Sequence, residues 1–384
     1  MRYFKPSLTL LLTLAAGSTA QSIVDLLEGT PELSNLTSIA VMYPDLITTL
    51  SGASNITILA PNNKAFSDAM KMMPAAMAKN TEYIRSLLTY HVLNGTYRAV
   101  GFGDDSRFLP TLLTDKKFAN LTAGDSQVVK AILMDDHASV YSGLNKTSMV
   151  SRADTYFTGG VVHIIDSVLT LPMNVSTTAI AANLTAVAGA LAQANLVTTV
   201  DTLTSITVFA PSNPAFQAIG NLVGGLSNKQ LASILTYHVV PDRAFTSDLT
   251  NNQKLRTIQG EELTIRLDDG DVYVNGAKVV ASDVITNNGV VHVIDGVLNP
   301  NATNDEPDTG ASTQAPAFPS ATGSSDVPFT SGVLTPTGSR INTSSPSATS
   351  SGTGAQPNSA GSITGNVVIA VIGAALAFAA GIMV

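Results

Sequence analysis

Three short blocks of this 384-residue sequence occur twice, in the same order and at similar spacing. Ile56–Phe66 returns 150 residues later as Ile206–Phe216, Leu88–Val92 returns as Leu235–Val239, and Gly160–Leu169 returns as Gly289–Leu298. The last pair is identical at eight of ten positions. A period this long excludes a solenoid of small repeats and implies a duplicated domain. Each copy is large enough to bury a core of its own. Two domains are therefore expected, residues 21–171 and 174–300, with further segments at both ends.

Those end segments are distinctive. Arg2 and Lys5 precede an apolar run around Leu8–Ala16 and the small residues Ser18-Thr19-Ala20, the layout of a secretory signal peptide over residues 1–20. Nine Asn-x-Ser/Thr acceptors follow, at Asn35, Asn55, Asn94, Asn120, Asn145, Asn174, Asn183, Asn301 and Asn342, as expected of a glycosylated surface. Residues 301–360 hold 22 Ser or Thr and seven Pro with five charges, a composition expected to form an unfolded, O-glycosylated stalk. Residues 361–384 end in Val367–Val384, 18 uncharged apolar residues with no Lys or Arg after them. Behind small residues and a polar spacer, such a tail is the signal for a glycosylphosphatidylinositol anchor, with Asn358 the preferred attachment residue. The expectation is a cell-surface protein held on the outer leaflet of the membrane or in a cell wall.

The net charge is −8 and no basic block is present, which argues against a nucleic-acid partner. The absence of cysteine excludes thiol chemistry. No cofactor is expected.

Both copies begin with a helical pattern, and in the second Ile180, Leu184, Val187, Ala188, Leu191 and Ala192 fall on one helix face. Short β-branched runs close at Pro61 and Pro211, since proline cannot donate to a sheet ladder. Ser227 and Gln230 read as a capping box, with Asn80 in the matching place. Glu262–Leu267, Asp269-Gly270 and Val272–Val274 read as a hairpin. From His91 to His163 is 72 positions against 54 from His238 to His292, so the first copy carries about 18 extra residues, expected in loops around Asp135–Thr158.

Four of five histidines fall at matched positions, His91 with His238 and His163 with His292, while His137 is unmatched. His163 and His292 sit in strands apolar on both faces, so a structural role in the core is expected. Asp166 and Asp295, three positions on, fall on the opposite strand face. Tyr90-His91 and Tyr237-His238 read either as rings packed under a helix end or as adhesive surface groups. The acidic runs Asp104-Asp105, Asp135-Asp136-His137 and Asp268–Asp271 lack full calcium-loop spacing and read as solvated turns rather than a metal site. No local catalytic fingerprint is present, which argues against an enzyme.

The repeated blocks closely resemble the fasciclin (FAS1) family, over about residues 21–300. The first signature matches at 56–66 and 206–216, the central Tyr-His at 90–91 and 237–238, and the second signature at 160–166 and 289–295. The resemblance implies an α+β fold of two tandem domains, each a sandwich-like wedge of two β-sheets with helices packed along one side. It also implies extracellular adhesion to matrix proteins, cell-wall glycans or neighbouring cells, and it points to Tyr90, His91, Tyr237 and His238 as candidate adhesion residues. Weak self-association stays open. Two other readings remain beside adhesion: a hydrolase acting on surface polymers, and a structural wall glycoprotein without a receptor.

Overall fold

The computed structural model describes residues 21–134, 137–303 and 305–333. In the first domain, helices α1 (Ile23–Glu28), α2 (Ser34–Ala40) and α3 (Pro44–Gly52) lead into strand β1 (Ile56–Pro61). Helices α4 (Asn63–Met72), α5 (Ala75–Ala78) and α6 (Thr81–Tyr90) follow. Then come β2 (Val92–Asn94), β3 (Arg107–Pro110), β4 (Val128–Met134), β5 (His137–Tyr141), β6 (Thr147–Phe157) and β7 (Gly160–Ile165). The second domain repeats the order with α7 (Val175–Ala181), α8 (Thr185–Gln193), α9 (Val197–Thr202), β8 (Ile206–Pro211), α10 (Asn213–Ala218), α11 (Gly220–Val223) and α12 (Asn228–Tyr237). Its strands continue as β9 (Val239–Val240), β10 (Lys254–Arg256), β11 (Glu262–Asp268), β12 (Asp271–Val274), β13 (Ala277–Thr286) and β14 (Gly289–Ile294).

Each domain has one seven-stranded hydrogen-bonded order, β2-β1-β7-β6-β5-β4-β3 in the first and its equivalent in the second. The first and last repeated blocks are the parallel central pair: Ile56 lies beside Gly160, and Ile206 beside Gly289. Glycine is required there because a Cβ on Gly160 would lie 1.8 Å from the Ile56 carbonyl oxygen, and one on Gly289 1.9 Å from that of Ile206. β6 pairs with β7 through two register shifts and with β5 at its other end. Such bulges bend a strand, so the sheet divides into two leaves that share β6, the expected wedge.

Side chains alternate along β1. Ile56, Ile58 and Ala60 join the core under α1–α3, whereas Leu59 joins a second core with Tyr90, Leu93, Phe102 and Val129. Burying one such leucine contributes about 2 kcal/mol. The expected caps form: Asn80 accepts from the Tyr83 amide, and Ser227 and Gln230 make a full capping box.

Three expectations are corrected. The apolar stripe from Ile180 to Ala192 is not one helix: the chain breaks at Ala182–Leu184, where Asn183 adopts φ 61°, and continues as α8. The extra residues of the first domain lie mostly elsewhere than expected. Seventeen residues, Thr111–Gln127, separate β3 from β4, against five, Thr257–Glu261, between β10 and β11. Only a minor part falls near Asp135–Thr158, where β5 and β6 take up most of the chain.

The third correction concerns the segment after Asn301. Described residues 305–333 do not behave as a stalk; they form a strap over the second domain. Phe318, Ala321, Val327, Phe329 and Val333 pack on its core, and the Phe329 ring meets Phe216 edge-on at 5.7 Å. Asn221 exchanges hydrogen bonds with Ser320 and Thr322, and Gln217 with Ser324 and Ser325. The strap approaches so closely that a Cβ on Gly189 would lie 1.7 Å from the Phe329 carbonyl oxygen. A low average hydropathy conceals a few apolar side chains spaced to fit one groove. The rest of the segment expected as a stalk, residues 334–360 with Asn342 and Asn358, lies outside the described residues, as do residues 1–20 and the apolar tail.

The domains dock through the insertion. Its Asn120 Nδ2 donates to the Thr202 and Leu203 carbonyls at 3.3 and 3.4 Å, and Gln127 Nε2 donates to Thr286 O at 3.0 Å. Val128, Phe245, Ile285 and Val290 form a small apolar cluster in the seam, with Phe108 against it.

Candidate functional site

All four candidate adhesion residues lie inside the protein, so of the two readings of these pairs the structure shows rings packed under a helix end. Tyr90 and Tyr237 are fully buried, and His91 and His238 are 5% and 2% exposed. The Tyr90 hydroxyl donates to Val128 O at 3.0 Å. The Tyr237 hydroxyl donates to Glu262 O at 3.0 Å and accepts from Asn275 Nδ2 at 2.9 Å. Each ring thus ties the end of its helix, α6 or α12, to the far leaf of the sheet. Burial pushes both phenols up.

The adjacent histidines close the same joint. His91 Nδ1 donates to Leu87 O at 2.7 Å, and its Nε2 accepts from Leu169 N at 3.0 Å. His238 does the same with Ile234 O at 2.8 Å and Leu298 N at 2.9 Å. Each imidazole joins the last helical turn to the chain leaving the sheet, and its two partners set the tautomer. Burial lowers both pKa values from 6.5 to about 4, against the smaller upward effect of the carbonyl bond. Both rings are neutral at physiological pH.

His163 and His292 are fully buried, as expected. Their hydrogen-bonding partners could not be assigned from the signature blocks. His163 Nε2 donates to Tyr97 O at 2.8 Å and Nδ1 accepts from the Asp154 amide at 3.1 Å. His292 bonds Ala244 O at 2.9 Å and the Asp283 amide at 3.3 Å. Asp154 and Asp283 adopt φ 54° and 60° at the irregular stretch of β6 and β13. The Asp154 carboxylate accepts from Ala99 N, and that of Asp283 from Thr246 N. Burial, the largest influence, pushes His163 down. One signal was legible: an aspartate stands nine positions before each histidine.

Asp166 and Asp295 act apart from the histidines. Their carboxylates accept from the amides of Met149 and Lys278 at 2.9 and 2.7 Å, pinning the ends of β6 and β13. Other repeated polar residues are employed in the same way. Thr57 Oγ1 donates to Gly95 O and accepts from Tyr97 N, as Thr207 Oγ1 does with Asp242 O and Ala244 N. Asn63 ties α4 to Pro31 and Asn35, and Asn213 ties α10 to Asn183 and Ala186. The repeated blocks form a hydrogen-bonded frame. No matched histidine retains a free ring nitrogen facing solvent, so none is placed to take a proton from a substrate.

Asp104, Asp105 and Asp269 are exposed loop residues, Asp268 is exposed at the end of β11, and His137 is exposed on β5, while Asp135 and Asp136 lie outside the described residues. Among the described residues no group of three or more His, Asp or Glu side chains is placed to hold a metal ion. The apolar groove between α1 and α3 has a volume of about 300 Å³ and is lined by Val24, Leu27, Ala40, Val41 and Ile47 among others.

The sequence is 34% identical over 322 residues to a fasciclin-like arabinogalactan protein of Arthroderma benhamiae, covering 83% of this chain and 76% of that one. It is 33% identical to a fasciclin-like arabinogalactan protein of Phaeosphaeria nodorum, over 75% of this chain and 91% of the other. Among solved structures, a FAS1 domain pair from the insect cell adhesion molecule fasciclin I aligns over 70% of this chain and 97% of its own, with 18% identity and a TM-score of 0.35. The fasciclin domain model matches residues 31–172 and 182–300, one copy on each structural unit. The chain belongs to the fasciclin domain family, with two FAS1 domains in tandem.

Proposed function

We propose that this is a glycosylated cell-surface adhesion protein, secreted through residues 1–20 and lipid-anchored at Asn358 after loss of Val367–Val384. Its two FAS1 domains bind matrix proteins or cell-wall glycans. The observation that carries the reading is that all four matched histidines, and the polar residues repeated around them, are bonded within the fold. The polar groups shared by both copies support structure rather than chemistry, which argues against the hydrolase and leaves outward surfaces to do the work. Among the described residues no helix is long and apolar enough to cross a membrane. The relatives' name, built on arabinogalactan, fits a chain rich in glycan acceptors. Two domains on one chain raise avidity when both engage together.

The test is an array of glycans and matrix proteins probed with residues 21–333, the strap included. Saturable binding to one class, retained when the chain is displayed in several copies, is expected. Turnover of a wall polymer without retention would overturn adhesion. Release of the protein from cells by a phosphatidylinositol-specific phospholipase tests the anchor, and recovery of an intact peptide ending at Val384 would contradict it.

A further inference from the structure

Two of the nine glycan acceptor motifs lie in the seam between the domains and make the contacts that hold it. Asn145 is 8% exposed, and its Nδ2 donates to Ser282 O of the second domain at 3.0 Å. Asn120 Nδ2 donates to the carbonyls of Thr202 and Leu203. The threonine of that same motif, Thr122, bonds Ser205 Oγ through its amide and its hydroxyl, both at 2.9 Å. By contrast Asn35, Asn94 and Asn183 are exposed.

We propose that Asn120 and Asn145 are N-glycan acceptor sites whose occupancy decides whether the two FAS1 domains dock. This rests on the secretory part of the function proposed above. In the transfer, the Asn Nδ2 forms a bond to the anomeric carbon of an oligosaccharide carried on a polyprenol diphosphate. The carbon–oxygen bond to the diphosphate breaks, the lipid diphosphate leaves, and the amide loses one proton. The sugar then occupies the nitrogen that faces Ser282 or Thr202 in the docked pair. A sugar ring is bulkier than the asparagine side chain it extends: the Asn145 site, 8% exposed, has no room for one, and at the half-buried Asn120 the ring would stand where the Thr202 and Leu203 carbonyls close on the nitrogen. Glycan and docking exclude each other.

The order of synthesis gives the acceptor its opportunity. The first domain emerges and folds before the second is complete, so Asn120 and Asn145 are presented while Thr202, Ser205 and Ser282 are not yet in place. Nothing in the first domain depends on either amide nitrogen, since the bonds named above all cross the seam. The seam is also built to be separable. Three buried polar atoms without a partner among the described residues, Asn145 Oδ1, Arg243 Nη1 and Asn287 Oδ1, belong to it, and such groups weaken an interface. Unmodified chains present one rigid pair; chains modified in the seam present two domains that engage separately.

The experiment takes full-length protein from its own secretory route, trims each N-glycan to one sugar, and separates compact from extended chains by size exclusion with X-ray scattering. Glycopeptides from every acceptor are then identified by mass spectrometry. Modified Asn120 or Asn145 is expected in the extended fraction and absent from the compact one. Thr147→Val, which removes the Asn145 motif while keeping the asparagine, is expected to deplete the extended fraction. Glycan at Asn145 in compact chains would overturn the proposal. So would glycans at Asn35, Asn94 and Asn183 with both seam asparagines bare in every fraction. Bare asparagines at all sites would sink this proposal together with the secretory reading.

Discussion

Phe108 and Phe245 stack across the domain seam, with ring centroids 3.7 Å apart and planes 11° from parallel. Arg243, on the second domain, lies over the Phe245 ring at 5.5 Å and faces Asp125 of the first-domain insertion at 4.0 Å. This cluster, with the Asn120, Gln127 and Asn145 bonds, couples two units that each have a core of their own. Phe108→Ala is expected to uncouple them. One cooperative melting transition should separate into two, the first-domain transition moving by only a few degrees. A single unchanged transition in differential scanning calorimetry would show that the stack does not carry the coupling.

The buried histidines of the central strands should behave as structural elements. His292→Ala removes a ring stacked on Phe209 and leaves the Ala244 carbonyl and the Asp283 amide unpaired. The expected loss is about 3 kcal/mol in the second domain. His163→Ala should cost the first domain a similar amount through Tyr97 and Asp154. Chemical denaturation of each variant measures this. A variant that kept wild-type stability but lost binding would reverse the structural assignment.

Acidification should destabilise both domains through His91 and His238. Their folded-state values near 4 lie below the ordinary 6.5, so the unfolded chain binds protons that the folded chain refuses. Stability from this source is complete above pH 6.5 and is lost as pH falls toward 4. The full shift corresponds to about 3 kcal/mol for each ring. His163 moves in the same direction. Ordinary carboxylates titrate below about pH 5, so the melting temperature between pH 6.5 and 5 reports mainly the histidines. A flat profile in that window would mean that these rings take up protons in the folded state.

The strap over the second domain should be required for its full stability. Gly189→Val drives a side chain into the Phe329 backbone, and small-to-large changes of this kind cost about 1–3 kcal/mol. Hydrogen exchange of the Ser324 amide, which donates to Gln217 O, should accelerate at least tenfold in the variant while that of β8 and β14 stays slow. Unchanged protection of Ser324 would show that the strap tolerates the substitution by moving.

Much of the architecture was legible because duplication supplies an internal check. Pro61 and Pro211 end strands, Asn80 and Ser227 cap helices, and the apolar surroundings of His163 and His292 indicate burial, each seen in both copies. The residues that escaped notice depend on backbone geometry that composition does not encode. Asp154 and Asp283 reach the histidines only because positive φ and a register shift turn their amides inward. The Thr111–Gln127 segment is much longer than its counterpart Thr257–Glu261, so duplication is silent about the place of the added residues. The Tyr-His pairs were ambiguous for a simpler reason. A tyrosine suits a surface or an interior equally until the partner of its hydroxyl is known, and here those partners lie on distant strands.

The strap also determines how the protein responds to load. A pull on the chain beyond Val333 does not reach β14 directly; it acts first on Phe329 and then on the Ser324, Thr322 and Ser320 contacts. These separate one after another, like a zipper opened from its end, whereas drawing β14 from between β8 and β13 would break a whole ladder of bonds at once. The strap therefore yields before the sheet. Peeling from Val333 back to Pro300 releases 33 residues, about 110 Å of extended chain at full stretch. The second domain thus carries a mechanical fuse: pulled from beyond Val333, it gives up length from the strap while the folded sheet remains whole.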